Sequence, residues 1–365
     1  MPATHHVFLI PGFFGFVNFG RLVYFTHVRE FLEDALAREG LVVEIHRVRV
    51  KPTSSLRVRA AELLATLRDA APADAPLHLI GHSTGGLDAR LVTTPGVSLE
   101  SGLGLGGGLG GGGGLDVEPV ACRVRSVVSI ASPHRGTPLA AFFSSLLGQQ
   151  VLRLLSLATV TVLRRGRLPV GMLAKLAGAV ARLAIRRPSA SIELLEHLEK
   201  ELRGELGGGE PELIDAFLHD VHGDQALMPQ LTPAAMDLFE ASTADRPDVR
   251  YASVTAQAAP PRLATRLALG PRPWSQVTYA LYAWLHRQVG EGDGIVPLAS
   301  QRRGEVLFAA TGDHLDVIGH FDDPAHQPPH TDWLHSGSKF DRAQFEAMWT
   351  SVARFVGSAA RRRAP

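Results

Sequence analysis

The sequence predicts an α/β fold, a mostly parallel central sheet with helices on both faces. Three observations carry that reading. Short apolar runs at 7–10, 77–80 and 124–131 alternate with helix-compatible stretches, the ordering of strand–helix–strand units. The run Leu77-His78-Leu79-Ile80 passes directly into Gly81-His82-Ser83-Thr84-Gly85-Gly86, with a helix-compatible segment behind it. The chain is also long enough, at 365 residues with 45% hydrophobic side chains, to bury one large core and still carry an inserted cap.

Taken in order, the first strand is Val7-Phe8-Leu9-Ile10, ended by Pro11-Gly12 and followed by the aromatic loop Phe13-Phe14-Gly15-Phe16. The carboxyl end of such a strand is where open α/β sheets bind ligands. Residues 28–39 follow a helix pattern that stops at Gly40, and 41–50 read as an imperfect strand. Ser54 or Ser55 can cap the next helix, which ends before Pro72. Residues 101–115 are almost pure Gly and Leu and are read as a flexible insertion, because each ordered glycine loses much conformational entropy. A phosphate-cradling loop is the alternative there, but no Lys-Ser/Thr follows the glycines. A strand at 124–131 is broken by Ser132-Pro133-His134-Arg135-Gly136-Thr137-Pro138-Leu139.

Beyond Leu139 the composition changes. Eight cations, from Arg153 to Arg187, occur in a strongly apolar stretch with no acid before Glu193. Such a segment can pack on the core, or it can be a mobile lid that opens on an anionic or lipid interface. The chain therefore divides into a core, 1–138 and 231–365, and a lid or cap region, 139–230. Residues 231–239 read as a capped helix with Pro near its first turn, 251–255 as a late strand, 274–289 as an aromatic-rich helix or loop, and 306–308 as the last strand.

The chemistry concentrates at three points. Gly81, Gly85 and Gly86 surround Ser83, as required where a strand turns sharply into a helix and leaves a serine exposed at the sheet edge. A serine hydroxyl needs a base to take its proton and an acid to hold that base. In α/β-hydrolases these partners follow in the order Ser, Asp/Glu, His, which Ser83, Asp293 in Gly292-Asp293-Gly294 and His314 satisfy. His320 is the rival base, six positions later.

The ordered motifs Pro11-Gly12-Phe13, Gly81-His82-Ser83-Thr84-Gly85-Gly86-Leu87-Asp88-Ala89-Arg90, Ser132 to Leu139, Leu231 to Phe239, Gly292-Asp293-Gly294-Ile295-Val296 and His314-Leu315-Asp316 resemble the bacterial true lipases. These are triacylglycerol lipases of the α/β-hydrolase fold. The resemblance spans most of the chain and implies hydrolysis of carboxylic esters with long acyl chains, behind a lid formed after Leu139. It makes Ser83 the nucleophile, His314 the general base and acid, Asp293 the residue that orients it, and the backbone N–H groups of Phe13 and Thr84 the oxyanion hole. His314 is preferred to His320 for its His-Leu-Asp pattern. A carboxylesterase acting on shorter or polymeric esters, an acyltransferase and a non-enzymatic lipid-binding module stay open beside it.

The resemblance also implies a structural calcium between Asp316 and a second Asp upstream of the triad acid. No acidic residue lies between Asp248 and Glu291, so the site is expected to be crippled unless Asp322 or Asp323 compensates. No cofactor is then required, and chelation is expected to cost little stability. His326, His330, His335 and Asp332 hint at zinc, but their proline-broken spacing is expected to be a surface loop.

Composition excludes other classes. A net charge of +1 from 37 basic and 36 acidic residues gives no overall pull toward nucleic acid. No uninterrupted apolar stretch approaches the roughly 18 residues of a membrane span. The single cysteine, Cys122, permits no intramolecular disulfide and is expected to be a core thiol. The amino terminus shows no basic region followed by a hydrophobic stretch and a cleavage site, an expectation of either a cytoplasmic protein or a leader-less mature secreted form.

Overall fold

The computed structural model describes residues 3–13, 17–19, 22–99, 115–145, 148–149 and 223–362. Most of the expected lid, 150–222, and most of the glycine-rich insertion lie outside the described residues. The strands are β1 (Thr4–Ile10), β2 (Val17–Phe19), β3 (Leu22–Val23), β4 (Val42–Arg47), β5 (Leu77–His82), β6 (Ser98–Leu99), β7 (Leu115–Asp116), β8 (Val124–Ile130), β9 (Arg250–Ala256) and β10 (Glu305–Ala310). The principal helices are α1 (Val28–Arg38), α2 (Leu56–Ala70), α3 (Thr84–Thr93), α4 (Glu118–Ala121), α5 (Pro138–Phe143), α6 (Leu227–Gln230), α7 (Pro233–Ser242), α8 (Leu263–Ala268), α9 (Pro273–Val289) and α10 (Arg342–Arg361).

Six strands form one sheet in the order β10-β9-β8-β5-β1-β4, and every pair in it is parallel. Both faces are covered, as an all-parallel sheet requires, so its central strands are apolar on both sides. β5 is buried along its whole length. One face packs on α2 and α3 through Leu56, Leu63, Leu64, Leu67, Leu87 and Leu91. The other packs on α1 and α10 through Val28, Leu32, Leu36, Phe345, Trp349 and Val352. The buried positions of α1, Val28, Leu32, Ala35 and Leu36, recur at helical spacing, and Gly40 follows it at φ 80°. Side chains cap four other described helices: Ser55 Oγ accepts from Val58 N at 3.3 Å, Thr137 Oγ1 from Leu139 N at 3.3 Å, Thr232 Oγ1 from Ala235 N at 3.4 Å and Asp341 Oδ1 from Gln344 N at 2.9 Å.

Several expectations change. β6 and β7 form an antiparallel pair, Ser98↔Asp116 and Leu99↔Leu115, so Leu115 belongs to a strand rather than to the insertion that the pair brackets. The described ends of segment 139–230 pack into the core, with Leu139, Ala140, Leu227 and Met228 all buried. Leu227 N donates to Thr53 O at 3.0 Å, and Gln230 Oε1 accepts from Leu56 N at 2.8 Å. Cys122 is exposed rather than in the core, because it caps the short helix α4 outside the strand that starts at Val124. Among the described residues no helix is long and apolar enough to cross a membrane.

Candidate active site

Ser83 stands between β5 and α3 with φ 54° and ψ −127°, a conformation a non-glycine residue rarely adopts. Its N–H is fixed by Ile130 O at 2.8 Å. The packing around it explains the glycines. A Cβ on Gly81 would stand 2.3 Å from backbone atoms of Gly85 and Gly86, and one on Gly85 would stand 2.3 Å from Ile10 O. Strand and helix therefore approach more closely than any side chain permits. A Cβ on Gly12 would lie 2.5 Å from Cβ of Ser83, so the loop after β1 passes directly against the serine. Phe13 is the next residue along that loop. Thr84 is the first residue of α3, where backbone N–H groups have no intrahelical partner.

Asp293 lies in the loop between α9 and β10. A Cβ on Gly292 would meet Val296 O at 2.2 Å, and Gly294 takes φ 91°, so both neighbours of Asp293 must be glycine for the loop to close. The carboxylate is fully buried and multiply held. Oδ1 accepts from Ile295 N at 2.8 Å and Val296 N at 2.7 Å, and Oδ2 from Gln301 Nε2 at 3.3 Å. His314 Nδ1 lies 2.7 Å from Asp293 Oδ2, and His314 N donates to Asp293 O at 3.0 Å. An ionised carboxylate only accepts, so the proton of His314 sits on Nδ1 and the lone pair on Nε2. Ser83, Asp293 and His314 are all buried at the carboxyl edge of the sheet, with 5%, 0% and 6% of their surface exposed. His320 takes another course: Nε2 lies 3.0 Å from Tyr24 O, and burial lowers its pKa to about 4.

A hydrogen-bond chain that the sequence did not reveal joins these parts. Gly12 N donates to Tyr24 Oη at 2.8 Å, Tyr24 Oη lies 2.6 Å from His82 Nδ1, and His82 Nε2 lies 2.9 Å from His314 O. Only one set of protons satisfies it. The hydroxyl accepts from Gly12 and must donate to Nδ1, which leaves the His82 proton on Nε2 to be donated to the His314 carbonyl. Burial drives the pKa of His82 down and that of the Tyr24 hydroxyl up, which keeps both neutral. Gln301, Tyr24 and this role of His82 carry no motif signal, because their partners are distant in sequence.

The residues expected at metal sites separate into two groups. Asp316 gathers with Asp313 and Asp332, with carboxylate ligand atoms within 4.8 Å of one another. Asp316 Oδ2 accepts from Asp313 N and Ser338 Oγ, and Asp313 Oδ2 accepts from Ser336 Oγ. Burial raises the pKa of all three, that of Asp313 and Asp332 to about 6, aided by repulsion from Asp332 on Asp313, from Asp313 and Asp332 on Asp316, and from Asp322 on Asp332. Three carboxylates gathered this way fit an oxygen-seeking cation such as calcium. The carboxylates beside Asp316 thus come from Asp313, adjacent to His314, and from Asp332; neither Asp322 nor Asp323 belongs to the trio. His335 turns away to Thr278 Oγ1, 2.9 Å from Nδ1. His326 and His330 instead meet His27; Asp322, Pro324, Ala325, Gln327, Pro328 and Pro329 are exposed, while His330 at the end of that loop is 2% exposed.

No family model matches the sequence, and no curated protein matches it. Solved structures do. A metagenomic carboxyl esterase aligns at TM-score 0.51 and 19% identity, over 98% of this chain and 77% of its own. Lipase 1 of Pelosinus fermentans aligns at TM-score 0.52 and 16% identity over 97% and 99%, and Staphylococcus hyicus lipase at 0.50 and 16% over 97% and 95%. At this identity the likeness is one of fold: the chain has the α/β-hydrolase architecture of those proteins.

Proposed function

We propose that this chain is a serine hydrolase that cleaves carboxylic esters of lipids or similar apolar acyl groups. The observation that carries the reading is the 2.7 Å contact between His314 Nδ1 and Asp293 Oδ2, in a sheet that also holds a serine at φ 54° on a strand-to-helix turn. The fold shared with proteins named as lipases and esterases supports the same class. The reaction is a two-step acyl transfer. Ser83 Oγ attacks the ester carbonyl while His314 Nε2 takes its proton, and Asp293 stabilises the imidazolium that results. Backbone N–H groups of Phe13 and Thr84 face the oxyanion of the tetrahedral intermediate. His314 then gives its proton to the departing alcohol, and water, activated by the same nitrogen, releases the acid.

The apolar, cation-rich sequence beyond Leu139 is assigned the transient contact with a lipid interface. Calcium, where bound, would be held by Asp316 with Asp313 and Asp332 and would supply charge neutralisation. The carboxylates themselves brace the backbone on either side of His314, through Asp313 Oδ1 on Leu315 N at 2.9 Å and Asp316 Oδ2 on Asp313 N at 2.8 Å.

Asp293→Asn tests the reading. An amide in place of the carboxylate favours the wrong imidazole tautomer, with a loss in kcat of about 10⁴-fold in the serine-protease precedent. A comparable loss on short- and long-chain nitrophenyl esters is expected, and an unchanged kcat overturns the assignment. Hydrolysis of long chains at an oil–water interface separates a lipid hydrolase from an esterase of soluble substrates.

A further inference from the structure

Three imidazoles meet on the side of the sheet covered by α1. His27 immediately precedes α1, and His326 and His330 lie in the loop that follows His314 and His320. Their ring centroids are 3.9 Å apart for His27 and His326, 4.7 Å for His27 and His330, and 4.6 Å for His326 and His330. One candidate ligand nitrogen from each lies within 4.8 Å of the other two. We infer that His27, His326 and His330 form a binding site for a divalent transition metal, with zinc the ion their chemistry favours.

The hydrogen bonds around the cluster argue for it. Both ring nitrogens of His330 are buried without a hydrogen-bond partner. Leaving such a group unsatisfied destabilises the fold. A histidine serving only as packing would be replaced by an apolar ring at no loss. Burial and the neighbouring imidazoles lower its pKa to about 3, so it stays neutral with a lone pair available, as metal ligation requires. One of the other two rings carries an outer partner of the kind that orients metal-binding histidines. His27 Nε2 lies 2.9 Å from the Pro328 carbonyl, which puts its proton there and its lone pair on Nδ1. Asp323 Oδ2 lies 3.5 Å from His326 Nδ1, close enough to attract it electrostatically, and that nitrogen is buried without a hydrogen-bond partner. The loop itself is pinned by a pair of backbone bonds, Asp323 N to His330 O at 3.2 Å and His330 N to Asp323 O at 3.0 Å.

Three neutral nitrogens suit zinc, which takes imidazole at about 2.0–2.1 Å in a tetrahedral arrangement and accepts water in the fourth position. Ligand nitrogens of a tetrahedral site lie roughly 3.4 Å apart at those bond lengths. Binding therefore draws the three nitrogens together and turns His27 and His330, now 5° from parallel, into a converging fan. A second cluster, His6, Glu44 and His46, lacks the same signature. His6 Nδ1 and His46 Nε2 already face each other at 2.9 Å, and Glu44 is exposed. The proposed ion staples the start of α1 to the loop following the candidate base, alongside the His320 to Tyr24 contact, and takes no part in the ester chemistry.

The test uses the full chain, stripped of metal by chelation and dialysis, and zinc alone as probe. Calorimetric titration is expected to show one zinc per chain, with cobalt(II) giving the intense visible absorption of a tetrahedral nitrogen site. His326→Ala, a half-buried position, is expected to weaken zinc binding at least 100-fold and to remove the zinc-induced rise in Tm while the metal-free protein keeps its Tm. His330→Ala is expected to do the same, and His326→Ala decides if that variant does not fold. His46→Ala is expected to bind as the unmodified chain does. Absence of saturable zinc binding, equal binding by His326→Ala, or loss of binding in His46→Ala overturns the assignment, whatever the ester hydrolase activity.

Discussion

The hydroxyl of Tyr24 lies 2.6 Å from Nδ1 of His82 and also accepts the Gly12 N–H, so one phenol links the loop beside Ser83 to the residue preceding it. Through His82 Nε2 the link continues to the backbone of His314. Tyr24→Phe strands a buried N–H and a buried imidazole nitrogen. It is expected to cost about 1–3 kcal/mol of stability and to lower kcat more than KM, because the groups it releases carry the proposed oxyanion loop and the proposed base. Urea unfolding and steady-state kinetics on a soluble ester check both effects; a variant equal to the parent in both removes the chain from the account.

Buried neutral histidines make the fold acid-sensitive. Burial lowers His78 and His134 to about 3 and His320 to about 4, whereas an unfolded histidine titrates near 6.5. The folded values are depressed, so their contribution to stability is complete above about pH 6.5 and is lost as pH falls toward the folded values. Asp88, Asp313 and Asp332, each raised to about 6, act in the opposite sense, so the net curve mixes both signs. A single variant isolates one group. His134 has no hydrogen-bond partner for either ring nitrogen, and His134→Leu is expected to lose about 2 kcal/mol less than the parent between pH 7.5 and 5. Parallel curves for the two proteins contradict this.

Calcium is expected to stabilise without being needed for turnover. Added to metal-free protein at 100 times its dissociation constant, an ion bound only by the folded state contributes about 2.7 kcal/mol, a Tm rise of several degrees. Asp332→Asn is expected to abolish that rise, while ester hydrolysis continues in calcium-free buffer. No calcium-dependent shift in the parent protein contradicts the carboxylate assignment.

What could be read from the sequence follows the range of the interactions. The parallel sheet, the turn at Ser83 and the caps at Ser55 and Thr232 are local, written in runs and spacings of a few residues. The preference for His314 over His320 rests on a motif, and the structure gives the two rings different partners, Asp293 and the Tyr24 carbonyl. Long-range partnerships left no such trace. Asp332 joins Asp316 across 16 positions, His27 meets His330 across the length of the chain, and of the four residues grouped at 326–335 two join one cluster, one joins the other and His335 joins neither. Helix α10 is legible too, in Phe345, Trp349, Val352 and Val356 at helical spacing, although it carries no catalytic motif. Cys122, expected in the core, lies on the surface because the strand begins two residues later, at Val124.

The central claim is that Ser83 is the nucleophile of an ester hydrolase. Ser83→Ala, confirmed folded by its Tm and assayed on short- and long-chain nitrophenyl esters against the unmodified chain, tests it most directly. The account expects the parent to turn over at least one of these esters and the variant to fall by a factor of about 10³ or more on it. Equal activity in parent and variant would contradict it.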